Sequence, residues 1–432
     1  MTLGFSGLAA AADPLPPQVS PREEQQALAM PLDFFKSSPA KNQPESVKSV
    51  RLGVKNREMP ELQNSPAMAE VLRLKWQPAP LYGKSDDLQK IGLDKVFKTT
   101  AAGNLSIMQA KTQVTEAETQ ARELLESNPL LLLNPIQLGL LKQAEAFQVQ
   151  AAKSHVQVVQ QQALLEGANR YLALTQAYLA KYLAFEAIEQ GRNQLNLEER
   201  RFLSGESDRF GLTQTQMALI DRYQLYLNAD AAYYTASLSL ANHLGLSEDQ
   251  ALVPEEVSLR NEINKVPSLR LLPAQVTLAM AQKAALSRPD IQEFKFRKEA
   301  LLKLVKASFG NDKRKHEAEL AQLEMRGEEG LALVSVATRR AYAQFQTSQK
   351  TLELAQQRYE LVLELVRQLE VSNKAGFSSA KDVLDGQKEL AKANSALIES
   401  RLQSNLAQIQ LAYEMGMLQE DLPSHPLTLN AL

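Results

Sequence analysis

Two carboxylates stand three residues apart in the last quarter of the chain, at Asp382 and Asp385. They follow a glycine-containing segment, residues 375–379, and begin a stretch rich in helix-forming residues. A spacing of three places both side chains on one side of a helix. Such a pair could attract cations. It could equally be two solvated residues near a helix N-terminus, where the helix dipole favours negative charge. The pattern alone leaves both interpretations open.

Residue types that commonly carry catalysis or bind metals are scarce and dispersed. The chain has no cysteine, which excludes disulfides, thiolate ligands and a cysteine nucleophile. The four histidines lie at 155, 243, 316 and 425, without ligand spacing. The sequence has no glycine-rich phosphate loop, and its net charge of −2 offers no broad basic field. We therefore expect a non-enzyme with no catalytic residue, metal, cofactor or nucleic-acid partner.

The elements that must position these side chains are predicted by the distribution of proline. Eleven of the 19 prolines precede residue 81, and the tracts 136–253 and 290–422 contain none. Proline breaks helix interiors, so these tracts, rich in Ala, Gln, Leu, Glu and Lys, predict very long helices. A heptad-like seam indicates shallow, coiled-coil-like packing. Its members are Leu352, Ala355, Tyr359, Val362, Val366 and Leu369, followed by Leu402, Leu406, Ile409 and Tyr413.

An internal repeat is the strongest signal in the sequence. A shift of 171 positions superposes residues 168–245 on residues 339–416 without a gap. Gly205 and Gly376 match at the places where hairpin turns would end two long helices, and we interpret them as the hinges of those turns. Further matching pairs are Tyr171/Tyr342, Leu183/Leu354, Ser207/Ser378, Gln216/Gln387, Leu240/Leu411 and Gly245/Gly416. The predicted fold class is therefore all-α, a tandem repeat of long antiparallel, coiled-coil-like helical hairpins.

The repeat also sets the domain organisation. Residues 1–12 are apolar and end in small residues. We interpret them as the remnant of a signal peptide, with a disordered tail as the alternative. Residues 13–87 form an extended, proline-rich arm, for which plain disorder is the alternative. Two helical repeats follow. We place the repeats at 88–253 and 276–420, the linker at 254–275 and a C-terminal tail at 421–432.

Three segments resemble the TolC family of outer-membrane efflux and secretion channels. They are LAMAQKAALSRPDI at 278–291, AGFSSAKDVLDGQKEL at 375–390 and LAYEMG at 411–416. The resemblance covers about residues 88–420 and rests on the order, spacing and duplication of these segments. It implies a conduit without catalytic activity, built as a homotrimer whose helices form a periplasmic tunnel. Its implied partners are a periplasmic adaptor (membrane fusion) protein and an inner-membrane pump.

The resemblance also assigns a role to the paired carboxylates. Family members with an Asp-Val-Leu-Asp motif use its aspartates to narrow the periplasmic entrance, and the matching residues are Asp382 and Asp385. Threefold symmetry would gather six carboxylates around one axis, enough to attract cations and repel anions. The family also closes the entrance with ionic links around the turn. The matching positions, Asn373, Ser378 and Gly211, cannot form those links.

The chain departs from the family pattern at the connectors within its two repeats. A strand that spans a membrane needs about 9 to 11 residues, and the connectors at 127–139 and 306–315 are too short for two such strands. We therefore expect little or no β-barrel. The apolar loop of the first connector could contact a membrane or a partner, or could pack into the bundle. Its residues are Leu130, Leu131, Leu132 and Leu133.

The function expected from these patterns is that of a component of an envelope-spanning export conduit, of the TolC-like efflux or type I secretion kind. It would lie in the cell envelope of a diderm bacterium, in the outer membrane or the periplasm. The alternative is a structural or scaffold protein of a cell-envelope machine, built from the same hairpins but transporting nothing.

Overall fold

The described part of the chain is almost entirely helical. The structure, a computed structural model, describes residues 66–81, 88–127, 135–247, 251–255, 269, 271–272 and 276–418. The helices are α1 Pro66–Arg73, α2 Leu93–Gly103, α3 Leu105–Ser127, α4 Pro135–Ser204, α5 Arg209–Leu244, α6 Leu278–Ala285, α7 Pro289–Ala307, α8 Gly310–Lys374 and α9 Ala380–Glu414. The strands β1, Leu88–Ile91, and β2, Ala251–Pro254, pair in parallel, with Leu88 opposite Ala251. The predicted fold class is confirmed.

The two proline-free tracts form the longest helices. α4 has 70 residues and α8 has 65, so at 1.5 Å per residue they are about 105 and 98 Å long. Each is followed by a return helix of about half its length, α5 or α9, against which it packs. α7 contacts both α4 and α8 and so joins the two hairpins. Of the described helices, none combines the length and the apolar character required to cross a membrane.

The internal repeat is reproduced in the backbone hydrogen bonds that end each helix. The amide of Gly205 donates to the carbonyl of Phe202, and 171 residues later that of Gly376 donates to the carbonyl of Asn373. Gly205 and Gly376 have φ angles of 83° and 80°, a left-handed conformation that costs a residue with a Cβ about 1–2 kcal/mol. The return helices end alike, since Gly245 and Gly416 have φ angles of 66° and 69°.

The heptad-like seam lies along the contact between α8 and α9. All six seam residues from Leu352 to Leu369 are buried or half-buried, and the side chains between them are exposed. On α9 the seam differs by one residue from the prediction, because Leu406 is exposed and Asn405 is buried. The Asn405 side chain turns inward because its Oδ1 accepts a hydrogen bond from the amide of Leu269 at 2.9 Å.

The core is distributed unevenly between the repeats. The larger hydrophobic core includes Phe97, Tyr171, Tyr233 and Leu411, where the middle of α4 meets α2 and the ends of α5 and α9. A smaller core lies between α4 and α5 and includes Met68 of α1. α8 contributes few buried side chains. They are Thr338, Ala341, Phe345 and Val366, together with Gly327.

Two segments differ from the sequence prediction or lie beyond the described residues. The second connector is shorter than the predicted range 306–315: α7 ends at Ala307 and α8 begins at Gly310, because the polar run after Gly310 is helical. Residues 66–73, within the range predicted as an extended arm, form α1, whose Ala, Met, Glu and Leu favour a helix. The loop Leu130–Leu133 lies outside the described residues.

Candidate functional site

The two predicted carboxylates lie at the start of α9, directly after the turn that follows α8. Ser379 caps α9: its Oγ accepts a hydrogen bond from the amide of Asp382 at 3.2 Å. In return, Oδ2 of Asp382 accepts hydrogen bonds from the Ser379 amide at 2.9 Å and the Ser379 hydroxyl at 2.7 Å. This reciprocal capping box satisfies donors that a helix N-terminus otherwise leaves unpaired. Asp382 therefore has a structural role in the turn, whatever else it does.

Asp385 lies one turn further along α9 and is exposed to solvent. Its Oδ1 accepts a hydrogen bond from Nζ of Lys388 at 3.1 Å, within the same helix. About half of each side chain in this pair is exposed. Exposed pairs of this kind contribute little to stability, so the carboxylate stays available to solvent cations. Asp382 and Asp385 thus form a small acidic surface at the start of α9.

Asn373, Ser378 and Gly211, the positions where the resemblance implied ionic links, form hydrogen bonds close to the turns. Nδ2 of Asn373 donates to the carbonyl of Ser378 at 2.8 Å, and Oγ of Ser378 donates to the carbonyl of Leu369 at 3.1 Å. In the first repeat, the amide of Gly211 donates to Oδ1 of Asp208 at 2.8 Å. These three bonds are local, each joining residues within nine positions of one another.

A second polar cluster, which the sequence analysis missed, is a fully buried ion pair between α4 and α5. Nζ of Lys181 lies 2.9 Å from Oδ1 of Asp230, and both side chains are 0% exposed. The same Nζ donates to the carbonyl of Ala79 at 2.5 Å, and Oδ2 of Asp230 accepts from the amide of Leu81 at 2.9 Å. The ion pair therefore fixes segment 76–81 onto the first hairpin. We call this group the arm clamp.

Aromatic rings enclose the arm clamp. Nζ of Lys181 lies 5.4 Å from the ring centroid of Trp76 and 5.3 Å from that of Tyr233, so both rings face the cation. Burial lowers the pKa of Lys181, and the hydrogen bond that Lys181 donates to Asp230 opposes that shift. Burial also raises the pKa of Tyr226, a third ring beside the cation, to about 12. These phenols stay neutral throughout the physiological range.

Arg192, also on α4, attaches the end of α1 to the first hairpin. Its guanidinium donates to the carbonyls of Val71 and Leu74, which belong to the last turn of α1 and the residue after it. Cations are favoured at helix C-termini, where carbonyls lack partners within the helix. Single charges within apolar runs, such as Lys181 in AYLAKYLAF, are the sequence signal that could have revealed these contacts.

Three of the four histidines lie among the described residues. In that part of the chain, no group of three or more His, Asp or Glu side chains is arranged to hold a metal ion. His155 is engaged by Glu293, whose Oε2 lies 3.1 Å from Nδ1, and this hydrogen bond raises the pKa of His155. His243 lies against the carbonyl of Ala163, and burial lowers the pKa of His243.

Comparison with solved structures places these features in a known fold. The chain is similar to VceC from Vibrio cholerae, described as an outer membrane protein, with 12% identity, a TM-score of 0.56 and coverage of 75% of this chain and 96% of that one. The CmeC outer membrane channel of Campylobacter jejuni gives 13% identity, a TM-score of 0.57 and coverage of 89% and 95%. The MtrE outer membrane channel of Neisseria gonorrhoeae gives 15% identity and a TM-score of 0.57, with coverage of 77% of this chain and 91% of that one. Neither a protein-family model nor a curated protein sequence matches the chain.

The chain has the TolC-like fold of the outer-membrane channels. Within the TolC-like fold, Gly205 and Gly376 lie in the two turns that follow the long helices, and Asp382 and Asp385 lie in the first two turns of α9. The arm clamp lies elsewhere: Lys181 is 23 residues, or about 35 Å, from the end of α4. The structure thus separates a turn region from a region that holds the N-terminal segment.

Proposed function

We propose that the chain is a non-enzymatic component of an envelope-spanning export conduit in a diderm bacterium, of the efflux or type I secretion kind, and that it works as a homotrimer. The single observation that carries this proposal is a row of exposed leucines on α8, in a fold otherwise found in outer-membrane channels. The more detailed parts of the proposal rest on the family resemblance alone. They are the periplasmic position, the adaptor protein and the inner-membrane pump.

The exposed leucines lie outside the seam that α8 shares with α9. Leu354 is 66% exposed and Leu361 is 73% exposed, and Leu365 continues the row one turn later. Residues seven and four apart lie on one face of a helix, so these side chains form an apolar stripe. Apolar stripes on long helices are normally covered by another helix, because their exposure to water is unfavourable. A neighbouring copy of the chain would cover this one.

Closing three copies around one axis would bring the turn regions together. Each copy would then contribute Asp382 and Asp385 to the entrance, and six carboxylates at one constriction would favour cations over anions. The exposure of both side chains supports this arrangement, since neither is buried within its own protomer. The two turn glycines, Gly205 and Gly376, would set how closely the hairpins approach that axis.

The first test measures the oligomeric state and its dependence on the leucine row. We expect the full-length chain to have the mass of a trimer and to give ring-shaped particles by electron microscopy. Leu361→Glu should release monomers, because it places a charge in the interface, whereas Gln356→Glu, at an exposed position on the opposite side of the same helix, should not. A wild-type chain that remains monomeric at micromolar concentration would refute the proposal.

The second test concerns conduction through the entrance. Reconstituted wild-type trimers should conduct cations in preference to anions, and Asp385→Asn should reduce that preference. Asp312→Asn removes another exposed carboxylate, at the opposite end of α8, and should leave selectivity unchanged. Export of a reporter substrate should also be lost when the chain is deleted from its host and restored by the wild-type chain.

The alternative, a scaffold protein of an envelope machine that transports nothing, is favoured by one observation. Both turn carboxylates already have local partners, Ser379 for Asp382 and Lys388 for Asp385, so their presence does not require a pore. The conduction measurement separates the two functions. A stable trimer without any conductance, and without an export defect on deletion, would support the scaffold.

A further inference from the structure

The joint between α7 and α8 is the most basic part of the described chain. Five cationic side chains and one carboxylate, Asp312, lie between residues 303 and 316, in a chain whose net charge is −2. The cations are Lys303, Lys306, Lys313, Arg314 and Lys315. Because the two helices are joined by only Ser308 and Phe309, these side chains surround a single hairpin tip. We call this region the basic tip.

Most cations of the basic tip face solvent: Lys306, Lys313, Arg314 and Lys315 are exposed, and Lys303 is half-buried. Every residue from 309 to 315 is exposed. Within the described ranges, Lys306, Arg314 and Lys315 take part in no ion pair, and Lys313 approaches Glu317 only at 3.9 Å. Cations further along the same helices are paired more closely, as Lys298 is with Glu324 at 2.9 Å. The basic tip therefore carries uncompensated positive charge.

Two large apolar side chains project from the same tip. Phe309, in the joint itself, is 74% exposed, and Ile136, at the start of α4, is 77% exposed. The start of α4 lies beside the joint, since Nε2 of Gln137 donates to the carbonyl of Ala307 at 2.8 Å. An aromatic and an aliphatic side chain thus protrude from the end of a rigid helical pair, surrounded by cations.

We propose that the basic tip docks on the surface of a membrane that contains anionic phospholipids. Headgroup phosphates would pair with Lys306, Arg314 and Lys315, while Phe309 and Ile136 would enter the boundary between headgroups and acyl chains. This combination of an apolar insertion and surrounding cations is how peripheral segments bind anionic membranes. A protruding tip fits a planar surface. A nucleic acid would instead require cations along an extended track or groove.

This inference goes beyond the proposed function and does not depend on it, because membrane docking requires neither a trimer nor conduction. It predicts which end of the long helices lies at the membrane. α8 would begin at the lipid surface and carry its other end, with Gly376 and the two carboxylates, about 98 Å away. The turn region would then be presented far from the membrane that the basic tip contacts.

The test is co-flotation of the full-length chain with lipid vesicles. Vesicles of phosphatidylcholine with about 30% phosphatidylglycerol should bind the chain, pure phosphatidylcholine vesicles should bind it weakly, and added salt should release it. Replacing Lys313, Arg314 and Lys315 by Gln should lower the partition coefficient by about 100-fold, at about fivefold for each cation. Phe309→Ser should lower it by about tenfold, because one aromatic side chain then stays in water.

Matched controls keep the outcome interpretable. Replacing Arg339, Arg340 and Lys350 by Gln removes the same charge from exposed positions in the middle of α8 and should leave binding unchanged. Phe377→Ser removes an exposed aromatic side chain from the opposite end of α8 and should also have no effect. Equal losses in the test and control variants, equal binding to both kinds of vesicle, or binding only to an acidic protein would overturn the proposal.

Discussion

Removing the cation of the arm clamp should release segment 76–81 from the first hairpin. Lys181→Met keeps most of the side-chain volume but leaves Asp230 buried without its cation, 2.9 Å from where Nζ had been. It also removes the donor to the carbonyl of Ala79. Breaking a buried ion pair by deleting one partner typically costs about 3–5 kcal/mol, because the remaining charge is uncompensated.

The chain can avoid most of that cost by letting water reach Asp230. The clamp holds a short segment, and α1 remains attached through Arg192 and the carbonyls of Val71 and Leu74. A penalty of about 3 kcal/mol shifts the docking equilibrium of the segment by about 150-fold. We therefore expect local undocking with little loss of helix content, not global unfolding.

Trp76 makes this undocking measurable, because it is the only tryptophan in the chain. In the folded protein its ring packs against Tyr178, Tyr182 and Phe185, with centroid distances of 5.2 to 6.0 Å. In Lys181→Met its emission should move to longer wavelength and its quenching by acrylamide should rise. The far-ultraviolet circular dichroism should stay close to that of the wild type.

Two further variants decide whether the buried charge is responsible. Lys298→Met breaks an ion pair of similar length at the surface, with Glu324, and should change neither signal. The double variant Lys181→Met, Asp230→Asn removes both charges but keeps an acceptor for the amide of Leu81, and should recover most of the docked signal. Unchanged quenching in Lys181→Met, or the same change in Lys298→Met, would refute this account of the clamp.

Three other predictions follow from single positions. Gly327→Ala should destabilise the chain by about 2 kcal/mol relative to Gly330→Ala in thermal unfolding, since a Cβ at Gly327 would lie 2.1 Å from the ring of Phe294 whereas one at Gly330 meets nothing. His155→Gln should flatten the pH dependence of unfolding: the raised pKa of His155 means that its stabilisation is present below about pH 6.5 and is lost as the pH rises through the folded-state pKa. Gly376→Ala should cost about 1 kcal/mol in denaturant unfolding, because its φ is 80° and its surroundings are open.

The sequence was sufficient to predict features that depend on local patterns. Long helices follow from tracts without proline, and the turns follow from glycines that recur 171 residues apart. The seam on α8 was correct at all six positions because helical periodicity determines which side chains face a neighbour. On α9 the periodic rule selected Leu406, but the polar Asn405 is buried instead. Its side chain accepts a hydrogen bond from the backbone amide of Leu269, in a distant segment.

Long-range contacts were not predictable in the same way. The pairing of β1 with β2 joins residues more than 150 positions apart, and neither four-residue segment has a distinctive pattern. The arm clamp joins Lys181 to Ala79, 102 positions away, and Asp230 to Leu81, 149 positions away. A lone lysine in an apolar run indicates a buried charge but does not identify its partner. The sequence left two roles open for Asp382 and Asp385. The structure shows Asp382 in a helix N-terminal cap, and the attraction of cations remains a proposal.

The two repeats hold their preceding segments by different chemistry, and they carry different residues at the corresponding positions. In the first repeat a carboxylate, Asp230, accepts the amide of Leu81. A buried carboxylate requires a cation, and Lys181 supplies it. The 171-residue shift places Leu352 and Arg401 at the corresponding positions, so this ion pair cannot form in the second repeat.

In the second repeat, neutral side chains perform the equivalent task. Oδ1 of Asn405 accepts the amide of Leu269 at 2.9 Å, and Oε1 of Gln408 accepts that of Leu271 at 3.3 Å. Because an amide acceptor needs no counter-ion, Leu352 is free to join the seam with α9. The acceptor on the return helix therefore determines whether the long helix carries a buried cation. The carboxylate of Asp230 requires Lys181, whereas the amides of Asn405 and Gln408 require none. Among the described residues, the Lys181–Asp230 pair is fully buried, whereas the Arg288–Glu414 pair of the second hairpin keeps 12% and 14% of its side chains exposed.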